Sequence, residues 1–409
     1  MKISTLSVIA LVLLTLLLYG CAPTSEPELP EFTPSPEILT STPEPTRTPT
    51  MTPTVTPSPT PTATPVGGSG MLYFNVYSDI GNMGVFAADL GLLTLTRITD
   101  EGVRIAAVSP RGDKILLVRD EQLISANPDG SDQKTISQNF REGGWVEALW
   151  IPDTDRVLFV GRDQGQDFIY SIREDGEDLL QISQQGMNIL ELYETHSSDL
   201  ICWEQGYCTN AGCWSEGVWL TNNDGSNQVP MEDINNPVFS PSGDWLIAEK
   251  FIDDGGINLF VPFILTSDLS GEVRLVNPLS DLMSPANGIF TGIGTYFWIE
   301  GGRKILAEWG VYDSINDEEK SHYYLYTESG DLDGEVQIAG LESESIHPYF
   351  VAVSPDGLTI ADVAFQQNGE EVTAYIRLID LNSFTVTPLE LSLPEGSTRI
   401  FGKIYWLPR

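Results

Sequence analysis

Four cysteines, three histidines and 58 acidic residues are the groups of this chain with reactive chemistry to offer. Cys202, Cys208 and Cys213 fall close together in the chain. Thiolates grouped in this way hold zinc when they come as paired Cys-x-x-Cys. That spacing is absent and the nearest imidazole is His196, so no metal is expected. Cys208 and Cys213 bracket Thr-Asn-Ala-Gly, a turn-rich stretch that can bring two thiols together. They form a disulfide candidate, with Cys202 left as a free thiol or as the alternative partner. His196 sits at a turn, His322 in a long loop and His347 before a proline, each reading as an incidental polar residue. No Gly-x-Ser-x-Gly, His-Glu-x-x-His, Gly-x-Gly-x-x-Gly or phosphate loop is present, so no catalytic residue and no cofactor are assigned. The carboxylates are too numerous to single out a glycosidase pair. They do recur in polar stretches between apolar runs, at Asp253 and Asp254, at Asp317, Glu318 and Glu319, and at Glu370 and Glu371. With Trp214 as a stacking residue, these acids suit a cationic or polyhydroxylated ligand.

The charge balance narrows the partners. Lys and Arg number 21, giving a formal charge of −37 over 409 residues. Lys2 contributes +1 and residues 22–70 carry five Glu and one Arg, so residues 71–409 hold −34. Such a surface repels phosphate backbones and excludes nucleic acid as a partner. It favours cations, basic proteins or neutral polymers, and it keeps a monomer in solution.

The elements that position these groups are strands. Val-Ser-Pro-Arg-Gly-Asp at 108–113 returns as Phe-Ser-Pro-Ser-Gly-Asp at 239–244 and as Val-Ser-Pro-Asp-Gly-Leu at 353–358. Degenerate relatives fall between them. The anchors Pro110, Pro152, Ser198, Pro241, Gly301 and Pro355 are 42, 46, 43, 60 and 54 residues apart. A repeat of this length with four short strands marks a β-propeller. Strand a leads into the Ser-Pro-x-Gly turn, strand b follows, and strands c and d flank a second turn rich in Asp-Gly. That second turn is placed at Asp129-Gly130, Asp175-Gly176, Asp224-Gly225 and Asp333-Gly334. The repeated Asp reads as turn chemistry rather than calcium ligation, because no EF-hand spacing accompanies it.

Six units run over 101–140, 141–185, 186–233, 234–283, 284–343 and 344–392. The start, Met71 to Thr99, holds strands b, c and d only, and the end, Ile400 to Leu407, holds an a strand only. The C-terminal strand is therefore expected to pair with the N-terminal three, closing an all-β, seven-bladed β-propeller; six blades is the runner-up. Trp150, Trp203, Trp219, Trp245, Trp298 and Trp406 fall in apolar runs and are expected between blades. The b–c connections, Arg162–Asp167, Glu204–Gly217, Asp253–Gly256, Val311–His322 and Gln366–Glu371, read as variable loops on one face, where binding usually sits.

The N-terminus reads as a targeting segment. Lys2 precedes an apolar run from Val8 to Leu18, too short to span a bilayer comfortably. Leu18-Tyr19-Gly20-Cys21 resembles a bacterial lipobox, with a bulkier residue than usual at Tyr19. The resemblance implies a signal peptide over 1–20 and acylation, palmitate included, of Cys21. Residues 22–66 hold 13 of the 27 prolines and 13 threonines, so 21–70 is expected to be a disordered Pro/Thr-rich linker ahead of the propeller at 71–409.

The three Ser-Pro-x-Gly phrases and the Asp-Gly turns resemble the TolB-like propeller repeat over about 71–409. Seven blades depart from the six usual in TolB. The lipobox resemblance implies a bacterial, extracytoplasmic lipoprotein, lipid-anchored to the cell membrane, and the TolB-like resemblance implies a part in an envelope assembly as a third possibility. The expected function is non-catalytic: a binding or scaffold module presenting its acidic b–c face to a protein, glycan or cationic ligand. The alternative is an extracytoplasmic glycan lyase or hydrolase using the central pocket.

Overall fold

The computed structural model describes residues 70–141, 148–183, 188–209, 212–254, 257–316, 318–341, 346, 351–368 and 371–408. The segments expected as signal peptide and linker lie outside them, apart from Gly70. Seven four-stranded antiparallel sheets follow one another along the chain. Blade 1 holds Ser397–Pro408, Gly70–Ser78, Gly81–Asp89 and Thr94–Arg97. Blade 2 holds Arg104–Val108, Ile115–Arg119, Gln122–Ala126 and Lys134–Ser137. Blade 3 holds Ala148–Trp150, Arg156–Asp163, Gln166–Arg173 and Leu180–Gln181. Blade 4 holds Ile189–Tyr193, Leu200–Thr209, Gly212–Asn222 and Val229–Met231. Blade 5 holds Ile234–Phe239, Trp245–Asp254, Ile257–Thr266 and Glu272–Arg274. Blade 6 holds Ile289–Ile299, Lys304–Asp313, Glu318–Thr327 and Leu332–Val336. Blade 7 holds Val351–Val353, Thr359–Asn368, Glu371–Asp380 and Thr385–Pro388. Strands are lettered a to d in these orders. The a strands of neighbouring blades 7 and 1, 1 and 2, 2 and 3, and 5 and 6 touch, which sets them round the axis.

Alternation of side chains along each strand explains why the runs are apolar on both faces. Leu72, Phe74 and Val76 of blade 1 pack against Ala361, Val363 and Ile376 of blade 7. Tyr73 and Val85 point the other way, against Ile115 and Leu117 of blade 2. Five further buried clusters fill the remaining seams in the same manner. Trp150, Trp203, Trp298 and Trp406 are buried in these seams, as their apolar surroundings required, while Trp219 and Trp245 are partly buried against them. Polar atoms tie blades together too. Tyr296 Oη donates to the Asn236 carbonyl at 2.6 Å, and Trp298 Nε1 to that of Val238 at 2.9 Å.

The repeated phrases make the same turn three times. The Gly112, Gly243 and Gly357 amides donate to the Ser109, Ser240 and Ser354 carbonyls at 2.8–2.9 Å. Each glycine has φ between +70° and +75°, a region hostile to a Cβ. At Gly357 a Cβ would also lie 2.6 Å from the Gly301 amide nitrogen of the blade 6 turn. The Asp-Gly turns use the aspartate as an internal cap: Asp129 Oδ1 accepts from the Ser131 amide at 3.0 Å, and Asp224 from Ser226 at 2.8 Å. One placement differs. Asp333-Gly334 lies inside strand d of blade 6, and the turn is made at Gly330, whose amide bonds the Thr327 carbonyl at 2.9 Å. Gly330 supplies the positive φ of 85° that the turn needs.

The ends of the propeller meet as expected. Strand a of blade 1 pairs antiparallel with Gly70–Ser78, Tyr73 opposite Tyr405 and Leu72 opposite Trp406. Deleting residues 397–409 should uncover the full edge of Gly70–Ser78 and empty a core seam. The expected result is loss of a single cooperative thermal transition and self-association in gel filtration; a monomer melting unchanged would contradict it. Gly357→Ala should cost about 1–3 kcal/mol in chemical denaturation.

Candidate functional site

Among the described residues, the b–c connections are mostly strand rather than loop. In blade 4 the ladder continues to Thr209 opposite Gly212, in blade 6 to Asp313 opposite Glu318, and in blade 7 to Asn368 opposite Glu371. His322 accordingly lies within a strand, its Nδ1 3.1 Å from Glu335. Strands b and c of blades 4 to 7 are 10 or 11 residues long, against 5 in blade 2. Pleated hydrogen bonding satisfies the backbone of such an extension, so it stands up rigidly from the disc.

Aromatic side chains cover these extensions. Tyr207 and Trp214 stack across blade 4, ring centroids 5.6 Å apart and 22° between planes. Phe251 and Phe260 meet edge to face across blade 5 at 5.5 Å. Phe290 and Tyr312 are ladder partners in blade 6, and Phe365 belongs to blade 7. All seven are 38–52% exposed. Among the described residues, no aromatic of comparable exposure lies on the a–b and c–d face.

The acids and cysteines singled out from sequence distribute over this crown. Glu318 and Glu319 open strand c of blade 6, exposed, and Glu319 is opposite Tyr312 in the ladder. Asp253 and Asp254 end strand b of blade 5. Glu371 begins strand c of blade 7. Asp317, Glu370 and Cys21 lie outside the described residues. Cys213 is disulfide-bonded, Cys208 is its ladder partner, and Cys202 is a buried free thiol. The described acids thus belong to the separate hairpins of blades 5, 6 and 7. Among the described residues no group of three His, Cys, Asp or Glu side chains is arranged to hold a metal ion.

A second polar cluster escaped the sequence. Lys403, on strand a of blade 1, places Nζ 3.3 Å from Glu194, just after strand a of blade 4. Blades 1 and 4 are not neighbours, so this ion pair spans the axis. The two side chains remain 38% and 41% exposed, so solvent reaches the axis. Lys403 holds the Glu194 carboxyl down to about 2. Its Nζ also lies 5.7 Å over the Tyr405 ring. Beside it, Glu191 and Glu204 are ladder partners, and Tyr193 Oη donates to Glu204 at 2.5 Å. Burial, then the Glu204 charge, pushes Glu191 up to about 7, with Lys403 opposing. Burial also raises the Cys202 thiol. Nothing local marks these residues in the sequence, because Lys403 and Glu194 are 209 positions apart and meet only when the ring closes.

The sign of the pH effect follows. Folded Glu191 keeps a proton that the unfolded chain releases near 4.5, so its contribution is present below that value and is lost as pH rises to about 7. Burial gives Glu308, at about 6, the same sign. Glu191→Gln should therefore raise the melting temperature at pH 8 and change it little at pH 4.5. Equal shifts at both values would show that Glu191 does not titrate in this window.

No family model matches the sequence, and no curated protein matches it. Solved structures do resemble the fold. Oligogalacturonate lyase from Vibrio parahaemolyticus aligns at a TM-score of 0.51 and 8% identity, over 81% of this chain and 90% of that one. A puromycin-hydrolyzing peptidase of Mycobacterium tuberculosis aligns at 0.50 and 11%, over 79% of this chain and 54% of its own. TolB from Acinetobacter baumannii aligns at 0.44 and 12%, over 83% and 67%. At such identities the likeness concerns architecture alone, and the architecture is the β-propeller expected from the TolB-like repeats.

Proposed function

We propose that this chain is a non-catalytic binding module, held at the membrane surface through an acylated Cys21 and presenting the crown of blades 4 to 7 to a partner. The observation that supports this reading is that, among the described residues, the seven half-exposed aromatics all belong to four consecutive blades, six on the b–c hairpins and Phe290 on the strand a paired with one of them. Exposed rings on a strand-built support bind at low entropic cost, because the support is already ordered. They are also the residue type that dominates interface energetics. The disulfide at Cys213 and the Tyr207–Trp214 stack brace the blade 4 hairpin in particular.

One observation favours the enzymatic alternative. Glu191 is the ladder partner of Glu204, and burial pushes its carboxyl up to about 7, the direction a general acid needs. A glycan lyase or hydrolase would place its substrate at the axis rather than on the crown.

Two measurements separate the readings. Trp214→Ala combined with Phe260→Ala should abolish capture of envelope components by the immobilised protein, whereas Leu92→Ala with Leu93→Ala, on the opposite face, should leave it intact. Turnover of a polysaccharide or peptide that Glu191→Gln abolishes would overturn the binding reading.

A further inference from the structure

We infer that the crown docks a lysine- or arginine-rich protein segment, its cations seated on aromatic rings beside carboxylates; this rests on the crown being the docking face. The protein seats its own cations in this way twice. Lys250 Nζ lies 5.2 Å over the Phe263 ring and pairs with Glu272. Lys403 lies over Tyr405 and pairs with Glu194. A ring face attracts an ammonium through its quadrupole, and the carboxylate fixes the cation's position. The crown offers the same two ingredients to the outside. Tyr312 and Glu319 are directly opposite in the ladder, so both side chains leave the same face of the sheet. Glu318 is exposed next to them. On blade 4, Glu216 lies two residues from Trp214, exposed, and accepts from Gln205 Nε2 at 3.1 Å.

Charge complementarity decides among occupants. A domain carrying −34 repels anionic polymers. A neutral glycan would use the rings and could donate hydroxyl hydrogen bonds to the carboxylates, but it would gain nothing from their charge. A basic segment uses both, and long-range attraction would speed its encounter with the face.

The test titrates fluorescently labelled decalysine into the full chain, with decaglutamate as control. Decalysine should bind, and binding should weaken at least tenfold between 50 and 500 mM NaCl. Trp214→Ala with Tyr312→Ala should weaken it about tenfold at unchanged melting temperature, as should Glu318→Lys with Glu319→Lys. Trp214→Phe, which keeps a ring, guards against a folding artefact and should retain most of the affinity. Glu177→Lys with Glu328→Lys reverses charge on the exposed c–d turns of the opposite face and should cost little. The proposal is overturned if that pair costs as much as the crown variants, or if removing the rings changes nothing. If the crown alanines abolish envelope capture while decalysine neither binds nor competes, the docking face stands and the basic partner falls. If capture is also indifferent to them, both fall.

Discussion

One antiparallel ladder holds the architecture together, that between Ser397–Pro408 and Gly70–Ser78. Each blade alone is a small meander with apolar side chains on both faces, and no such sheet is stable in water by itself. Every blade borrows its core from two neighbours, so the seams stabilise the molecule only when each has both sides. A linear stack would leave two apolar faces and two open edges. Joining the two ends of the chain within one sheet removes all four.

The sequence carried this architecture unusually clearly because the constraint repeats. A tight turn with a left-handed residue joins strand a to strand b, and Ser-Pro-x-Gly, with three residues fixed and one variable, makes it at 109–112, 240–243 and 354–357. Where the constraint is softer, reading failed. The c–d turn of blade 6 accepts any glycine of suitable φ, and Gly330 took the place that Asp333-Gly334 seemed to claim. The long hairpins were hidden for a related reason. Polar residues such as Glu318 and Glu319 resemble loop composition, yet a strand that projects beyond its neighbours has solvent on both sides and tolerates them. Alternation of Tyr207 and Trp214 about the Cys208 to Cys213 turn was the available sign that pairing continued.

The two polar features differ in kind. On the crown, Glu216, Glu318 and Glu319 are exposed on separate hairpins, so they shape a field more than a site. At the axis, Glu191, Glu204 and Lys403 interact through a confined space, where one carboxylate is driven toward protonation and the other acid partner, Glu194, is driven away from it. The ring geometry produces the second situation: strands from opposite blades approach only at the centre.

Closure by the last strand also has a temporal side. Tyr405 is 332 residues downstream of Tyr73, yet the two are partners in one ladder. The contact is about as non-local as the chain permits, and such topologies fold slowly because the loop must be closed before its ladder is rewarded. During synthesis the edge of Gly70–Ser78 would wait for a segment the ribosome has not yet made. Chains whose last strand has not yet docked therefore hold an unsatisfied template for strand addition along Gly70–Ser78.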